Sequence, residues 1–201
     1  MTEEIARMLH SKGYIELDEE GLNIAREIKE KYSIIHEFKQ SDDQHDQKEE
    51  KEEKYQTREG KEIVIDNEIR TYLEGVLFEP EKKGKSFKSI AEMCHEVIDQ
   101  FVPEFQEMMY KNIVVDGGTA KNPTFAARLK NELLRLAPPN TQINVTTYEK
   151  PDELAWTGGS LLLNLNRTCE MMMFHEEYEE YGPSIVYKYH RRDGLTFVNN
   201  W

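Results

Sequence analysis

Apolar residues recur with a helical period in several separate stretches of the chain. Between residues 2 and 12, Ile5, Met8 and Leu9 fall on one face, with Thr2 placed as an N-cap and Gly13 as a stop. After Asp18, the residues Ile24, Ile28, Tyr32 and Ile35 mark a second helix, interleaved with Arg26, Glu27, Lys29, Glu30 and Lys31. Residues 40–54 read QSDDQHDQKEEKEEK, without one apolar side chain, and so predict a mobile acidic surface loop. Tyr55-Gln-Thr and Ile63-Val-Ile bracket Glu59-Gly60 as a hairpin. Residues 67–77 then read as a helix that Glu79-Pro80 ends. A basic loop, EKKGKSFK, leads into a helix carrying Ile90, Met93, Cys94, Val97, Ile98 and Phe101, which Pro103 interrupts.

The next stretch changes character. Asn112-Ile-Val-Val reads as a short buried strand, Asp116-Gly-Gly-Thr as a turn, and 123–136 as a helix carrying Phe125, Leu129, Leu133 and Leu134. Pro138-Pro139 closes that helix, Ile143-Asn-Val-Thr alternates like a strand, and 155–165 is a near-continuous apolar helix containing Gly158-Gly159. Strands alternating with helices predict an α/β fold.

Composition narrows the function classes. The 201 residues include 39 acidic and 26 basic side chains, a net charge of -13, and 32% of residues are charged against a usual quarter or so. That balance disfavours direct nucleic-acid binding, which requires a basic surface. No apolar run approaches the roughly 18 residues of a membrane span, and residues 1–15 carry charge where a signal peptide would be apolar. Cys94 and Cys169 stand alone, which suits a reducing compartment, and the six histidines never pair at ligand spacing. A hydrolase complete within these residues is not expected. Gly117-Gly118, between strand and helix, is either a plain tight turn or a place where backbone approaches a ligand. Arg26, Lys29 and Glu30, at i, i+3 and i+4, are either a solvated face with an Arg26–Glu30 ion pair or a set of donors and an acceptor for a ribose or purine edge. The run Met171-Met172-Met173-Phe174 is adaptable apolar surface, for core packing or for a partner.

Taken together, NIVVDGGTAKNPTFAARLKNELLRLAP, LAWTGGSLLLNL and EEYEEYGPSIVYK resemble actin and actin-related proteins, specifically the C-terminal half of that family. TEEIARMLHSKGY, REIKEKYSII and KEIVIDNE line up with its preceding segments. The resemblance implies an α/β fold of the actin and Hsp70 (ribonuclease H-like) superfamily, represented in part: the fourth subdomain, the later part of the third, and the C-terminal return into the first. The corresponding division is 1–80, 81–155 and 156–201. The family's phosphate-cradling hairpins would precede all of this, as would the first strands of the third-subdomain sheet. Ile113–Val115 and Ile143–Val145 should therefore show an unpaired edge, with the other half supplied by another polypeptide or lost by truncation.

By the same resemblance Arg26, Lys29 and Glu30 match the helix that touches adenosine, and Gly117 and Gly118 the turn beneath it, implying ATP or ADP with magnesium. The pattern departs from the family where Met-Tyr becomes Lys121-Asn122 and a capping lysine becomes Asp152. An apolar and cationic lid thus becomes polar and acidic, so nucleotide binding should be weak or absent and independent hydrolysis is not expected. The aligned filament loop places Lys82, Lys83 and Lys85 where the family buries apolar residues, which disfavours a conventional filament. Leu161, Leu162, Leu165 and Met171, with Thr157 at the edge, match the family's apolar target-binding cleft, where a partner's amphipathic helix would dock. The implied role is a divergent scaffold or complex subunit acting through protein contacts, cytoplasmic and cytoskeletal or else nuclear. The alternative is the nucleotide-binding half of an actin-like ATPase completed in trans by an N-terminal chain.

Overall fold

The computed structural model describes residues 1–38, 53–165 and 173–187. These fall in two compact units, Met1–Asp152 and Glu153–Trp201. Most of the acidic run, Cys169 and Met171 lie outside the described residues.

The first unit holds two apolar cores. Helix α1 (Thr2–Ser11) is preceded by Met1 as its cap, so Thr2 is its first helical residue and not the N-cap. Gly13 follows with φ of +74°. Helix α2 (Glu19–Tyr32) starts at Asp18, whose carboxylate accepts the Gly21 N–H at 2.8 Å. Glycine is required at 21 because a Cβ there would lie 1.9 Å from the Glu16 carbonyl oxygen. The hairpin is β1 (Glu53–Gln56) against β2 (Glu62–Ile65), antiparallel, with Tyr55 opposite Ile63. The acidic loop therefore ends earlier than its composition suggests: Glu53 and Lys54 are strand residues, tied by ion pairs to Arg70 at 2.9 Å and Glu62 at 2.7 Å. Helix α3 (Asn67–Phe78) is capped by Asp66, which accepts the Ile69 N–H at 3.0 Å. Ile5, Leu9, Ala25, Ile28, Ile63, Ile65 and Ile69 form the first core.

Helix α3 is apolar on two sides, and so it walls both cores: Ile69, Tyr72 and Val76 face the first, Leu73 and Phe78 the second. Around the second core lie α4 (Ile90–Asp99), α5 (Pro103–Lys111) and α6 (Phe125–Leu136), with β3 (Ile113–Val114) parallel to β4 (Val145–Thr146). Ser89 and Glu92 form a reciprocal capping box on α4. Pro103 does not interrupt that helix but opens α5 as its first residue, where the missing N–H costs nothing, and Phe101 falls in the link between them. Ile35 also departs from the expected pattern. It lies beyond the end of α2 and is buried in the second core, which shows that the apolar periodicity crossed a helix boundary. The strand at 113 is not buried on both faces: Val114 is 57% exposed. Among the described residues β3 and β4 pair only with each other, which is the open edge anticipated for this segment.

The basic loop folds back on its own chain. Pro80–Lys83 is a 3-10 turn; Lys82 pairs with Glu79 at 3.3 Å, Lys85 with Glu4 at 3.4 Å, and the Lys83 ammonium sits 5.7 Å from the Tyr72 ring centroid. The second unit includes α7 (Leu154–Leu163) and α8 (His175–Tyr181), the latter followed by a 3-10 turn at Gly182–Ser184. No helix among the described residues is long and apolar enough to cross a membrane.

Candidate functional site

The glycine turn joins β3 to α6. Gly117 has φ of +84° and ψ of 177°, a conformation open essentially to glycine alone. Its N–H donates to the Pro151 carbonyl at 3.0 Å, and its own carbonyl accepts from Ala120 at 3.1 Å, closing the 3-10 turn Gly118–Lys121. A Cβ at either glycine would meet nothing within 4 Å, so space at the turn is open. Glycine at 117 is demanded by backbone conformation and not by crowding.

Beside the turn, Lys121 donates to Asp152 at 2.9 Å. That hydrogen bond, more than the nearby charges, lowers the Asp152 carboxyl below its ordinary value. Two of the three residues that break the expected apolar lid, Lys121 and Asp152, are thus partners: a polar, exposed ion pair stands beside the glycine turn.

Arg26, Lys29 and Glu30 project from α2. Arg26 and Glu30 are exposed, whereas Lys29 is half-buried and reaches the Thr2 hydroxyl on α1 at 3.4 Å, a long hydrogen bond. The structure links this helix to the glycine turn through the segment that leaves α2. The Asn122 amide donates to the Ser33 carbonyl at 3.2 Å, and the Thr124 hydroxyl donates to the Ile35 carbonyl.

Two further side chains continue the series. Arg128 Nη1 donates to the His36 carbonyl at 3.1 Å, and the Asn131 amide to the Glu37 carbonyl at 3.1 Å. The carbonyls of 33, 35, 36 and 37 are thus held by the side chains of Asn122, Thr124, Arg128 and Asn131, which run from the turn into the middle of α6. Arg128 is the hub of this arrangement. It is 1% exposed, pairs with Glu74 at 2.6 Å and Glu132 at 2.9 Å, and lies 5.1 Å from the Phe78 ring centroid. His36 reaches Glu74 at 2.7 Å from the other side. Sequence reasoning missed this cluster. The Arg128–Glu132 spacing of four was legible, but Glu74 comes from another helix, and no local pattern marks it.

Thr157, Leu161 and Leu162 lie on α7 and are exposed, while Leu165 falls just beyond its end, its N–H donating to the Leu162 carbonyl at 3.0 Å. These residues do not form a one-sided stripe. No residue of α7 is buried, Trp156 and Leu161 are 76% and 65% exposed, and Leu161, Leu162 and Leu163 point in successive directions about 100° apart. The helix is apolar all round.

The turn and α2 present a carboxylate at Glu30, an ammonium at Lys29 and uncrowded backbone at Gly117 and Gly118. Among the described residues no group of three or more His, Cys, Asp or Glu side chains could hold a metal ion.

The family model described as Actin matches residues 9–191. A curated protein of Dictyostelium discoideum named "Putative actin-29" is 31% identical over 192 residues, covering 92% of this chain and 49% of its own length. This chain therefore spans about half the length of that relative. With the strand, glycine turn and following helix in the order its motifs imply, and the match extending over most of its residues, the chain belongs to the actin family.

Proposed function

We propose that the chain is a divergent actin-family scaffold or complex subunit that acts through protein contacts, in a cytoskeletal setting. The observation that carries this reading is α7, an apolar helix without one buried residue. Exposed contiguous apolar surface on this scale marks an interaction site. The lysines of the 80–85 loop support it: they are engaged with Glu79, Tyr72 and Glu4 of the same chain, and so are not presented as an apolar filament plug. Leu165→Asp tests the reading. Capture of protein partners by the full chain should fall at least tenfold while the thermal melt is unchanged. A mutant that misfolds would identify the surface as core, and one that keeps both its partners and its stability would refute both assignments.

The second reading is a nucleotide-binding half completed in trans. It is favoured by the open backbone at Gly117 and Gly118. Members of the family generally bind ATP or ADP with magnesium, and Glu30, Lys29 and the glycine turn would hold the nucleoside end here. The Lys121–Asp152 pair replaces an apolar cover, so affinity of this chain alone should be weak. Titration with ATP and magnesium decides: low-micromolar or tighter saturation that Glu30→Ala abolishes would move the second reading ahead of the first.

A further inference from the structure

The basic loop carries two serines, Ser86 and Ser89, each directly after a lysine, so the sequence offers both as hydroxyls in cationic surroundings. The fold separates them. Ser89 is 7% exposed and caps α4: its hydroxyl accepts the Glu92 N–H at 3.2 Å, and the Glu92 carboxylate accepts its N–H at 2.7 Å. A phosphate there would break the cap and set a dianion against a carboxylate. Ser86 lies between the 3-10 turn at Pro80–Lys83 and α4, in no helix or strand, and is exposed. A kinase must close over the acceptor hydroxyl and several residues on each side of it, and only a segment that is open to solvent and outside regular structure permits this.

The residues around Ser86 define the class of enzyme. Lys83 and Lys85 precede it, Lys88 follows two residues on, and Phe87, 47% exposed, stands directly after it. Cations on both sides suit an acidic substrate cleft, and the exposed phenyl ring suits an apolar subsite beside the acceptor. Each lysine already has a partner in this chain: Lys83 the Tyr72 ring, Lys85 the Glu4 carboxylate at 3.4 Å, and Lys88 the Glu96 carboxylate. The Lys85 and Lys88 side chains are 32% and 59% exposed, and ion pairs at such positions are weak and exchange readily. They therefore leave the lysines available to a kinase, and they fix what a phosphate does once attached. A phosphoserine brings close to two negative charges and three acceptor oxygens, against the single charge of Glu4. Lys85 is its neighbour in the chain, and Glu4 keeps Arg7 at 2.9 Å when Lys85 leaves.

We propose that Ser86 is a phosphorylation site for a basophilic serine kinase, and that its phosphate takes Lys85 from Glu4 and so releases the basic loop from α1. In the transfer the Ser86 Oγ bonds to the γ-phosphorus of ATP, the bond from that phosphorus to the bridging oxygen breaks and leaves ADP, and the hydroxyl proton passes to the kinase's catalytic base. The site is separate from the glycine turn and α7 and does not rest on the role of either.

The full chain incubated with the catalytic domain of protein kinase C and ATP tests this, with the phosphate located by mass spectrometry. Ser86 should carry at least tenfold more phosphate than Ser89, and Ser86→Ala should remove it without moving it to Ser89. Phosphorus nuclear magnetic resonance then reads the second ionisation of the attached phosphate. Its midpoint should lie below the ordinary value of about 6, because Lys85 favours the dianion, and Lys85→Gln should raise it. Absence of phosphate at Ser86, equal phosphate at Ser89, or a midpoint indifferent to Lys85→Gln would overturn the proposal.

Discussion

Arg128→Met should be among the most damaging single substitutions in this chain. The guanidinium is 1% exposed and meets the Glu74 carboxylate at 2.6 Å, in a side chain that is itself only 13% exposed. Methionine keeps most of the aliphatic volume but leaves Glu74 largely desolvated, with His36 as its recorded partner at 2.7 Å, and releases the His36 carbonyl. Removing one member of a buried pair typically costs about 3–5 kcal/mol, because the other charge stays buried without compensation. At about 2–4 °C per kcal/mol for a chain of this size, the melting temperature should fall by roughly 6–20 °C. The double variant Arg128→Met, Glu74→Met removes both charges and should recover most of that loss, since the site then holds apolar groups of similar volume. Thermal melts of wild type, both single variants and the double variant complete the cycle. A loss below about 1 kcal/mol for Arg128→Met, or a double variant less stable than Arg128→Met alone, would refute the argument that desolvated charge dominates here.

Two other outcomes follow from local geometry. Gly117→Ala should destabilise by about 1–3 kcal/mol while Gly118→Ala is close to neutral in denaturant melts, because both sites have open space and only Gly117 holds a glycine-only conformation; equal effects would contradict this. The Tyr55 hydroxyl donates to the Glu27 carboxylate at 2.5 Å, which with burial raises the phenol to about 12. Because the folded value is raised, the stabilisation is complete below the ordinary tyrosine range and is lost as pH rises through about 12. Ultraviolet difference titration should show this late midpoint, and Glu27→Gln should bring it back toward the ordinary value; an unshifted midpoint in wild type would contradict the hydrogen bond.

Local signals account for most of the elements. The helical period placed α1 to α4 and α6, Asp18 announced the start of α2 with its carboxylate on the Gly21 N–H, and Glu59-Gly60 centred the hairpin. The Gly-Gly turn between strand and helix, with the motifs around it, was enough to identify the family, because backbone conformations that only glycine tolerates leave a mark in sequence. Periodicity failed where an apolar residue served a different core from its neighbours. Ile35 continued the pattern of α2 yet left the helix to join the second core, and Pro103 looked like an interruption although it begins α5.

Sequence by itself determined the α/β alternation, the start of α2 after Asp18 and the actin-family motifs, all of which rest on interactions within a few residues along the chain. Tertiary structure alone decided which charges are buried and which lysines are already paired. Glu74, Arg128 and His36 meet from three distant segments, Lys85 meets Glu4, and Lys121 meets Asp152, so no spacing rule could join them. It also decided that Val114 and α7 are open to solvent. Exposure depends on what the rest of the fold places beside a segment, and an apolar run reads the same whether it is covered or bare.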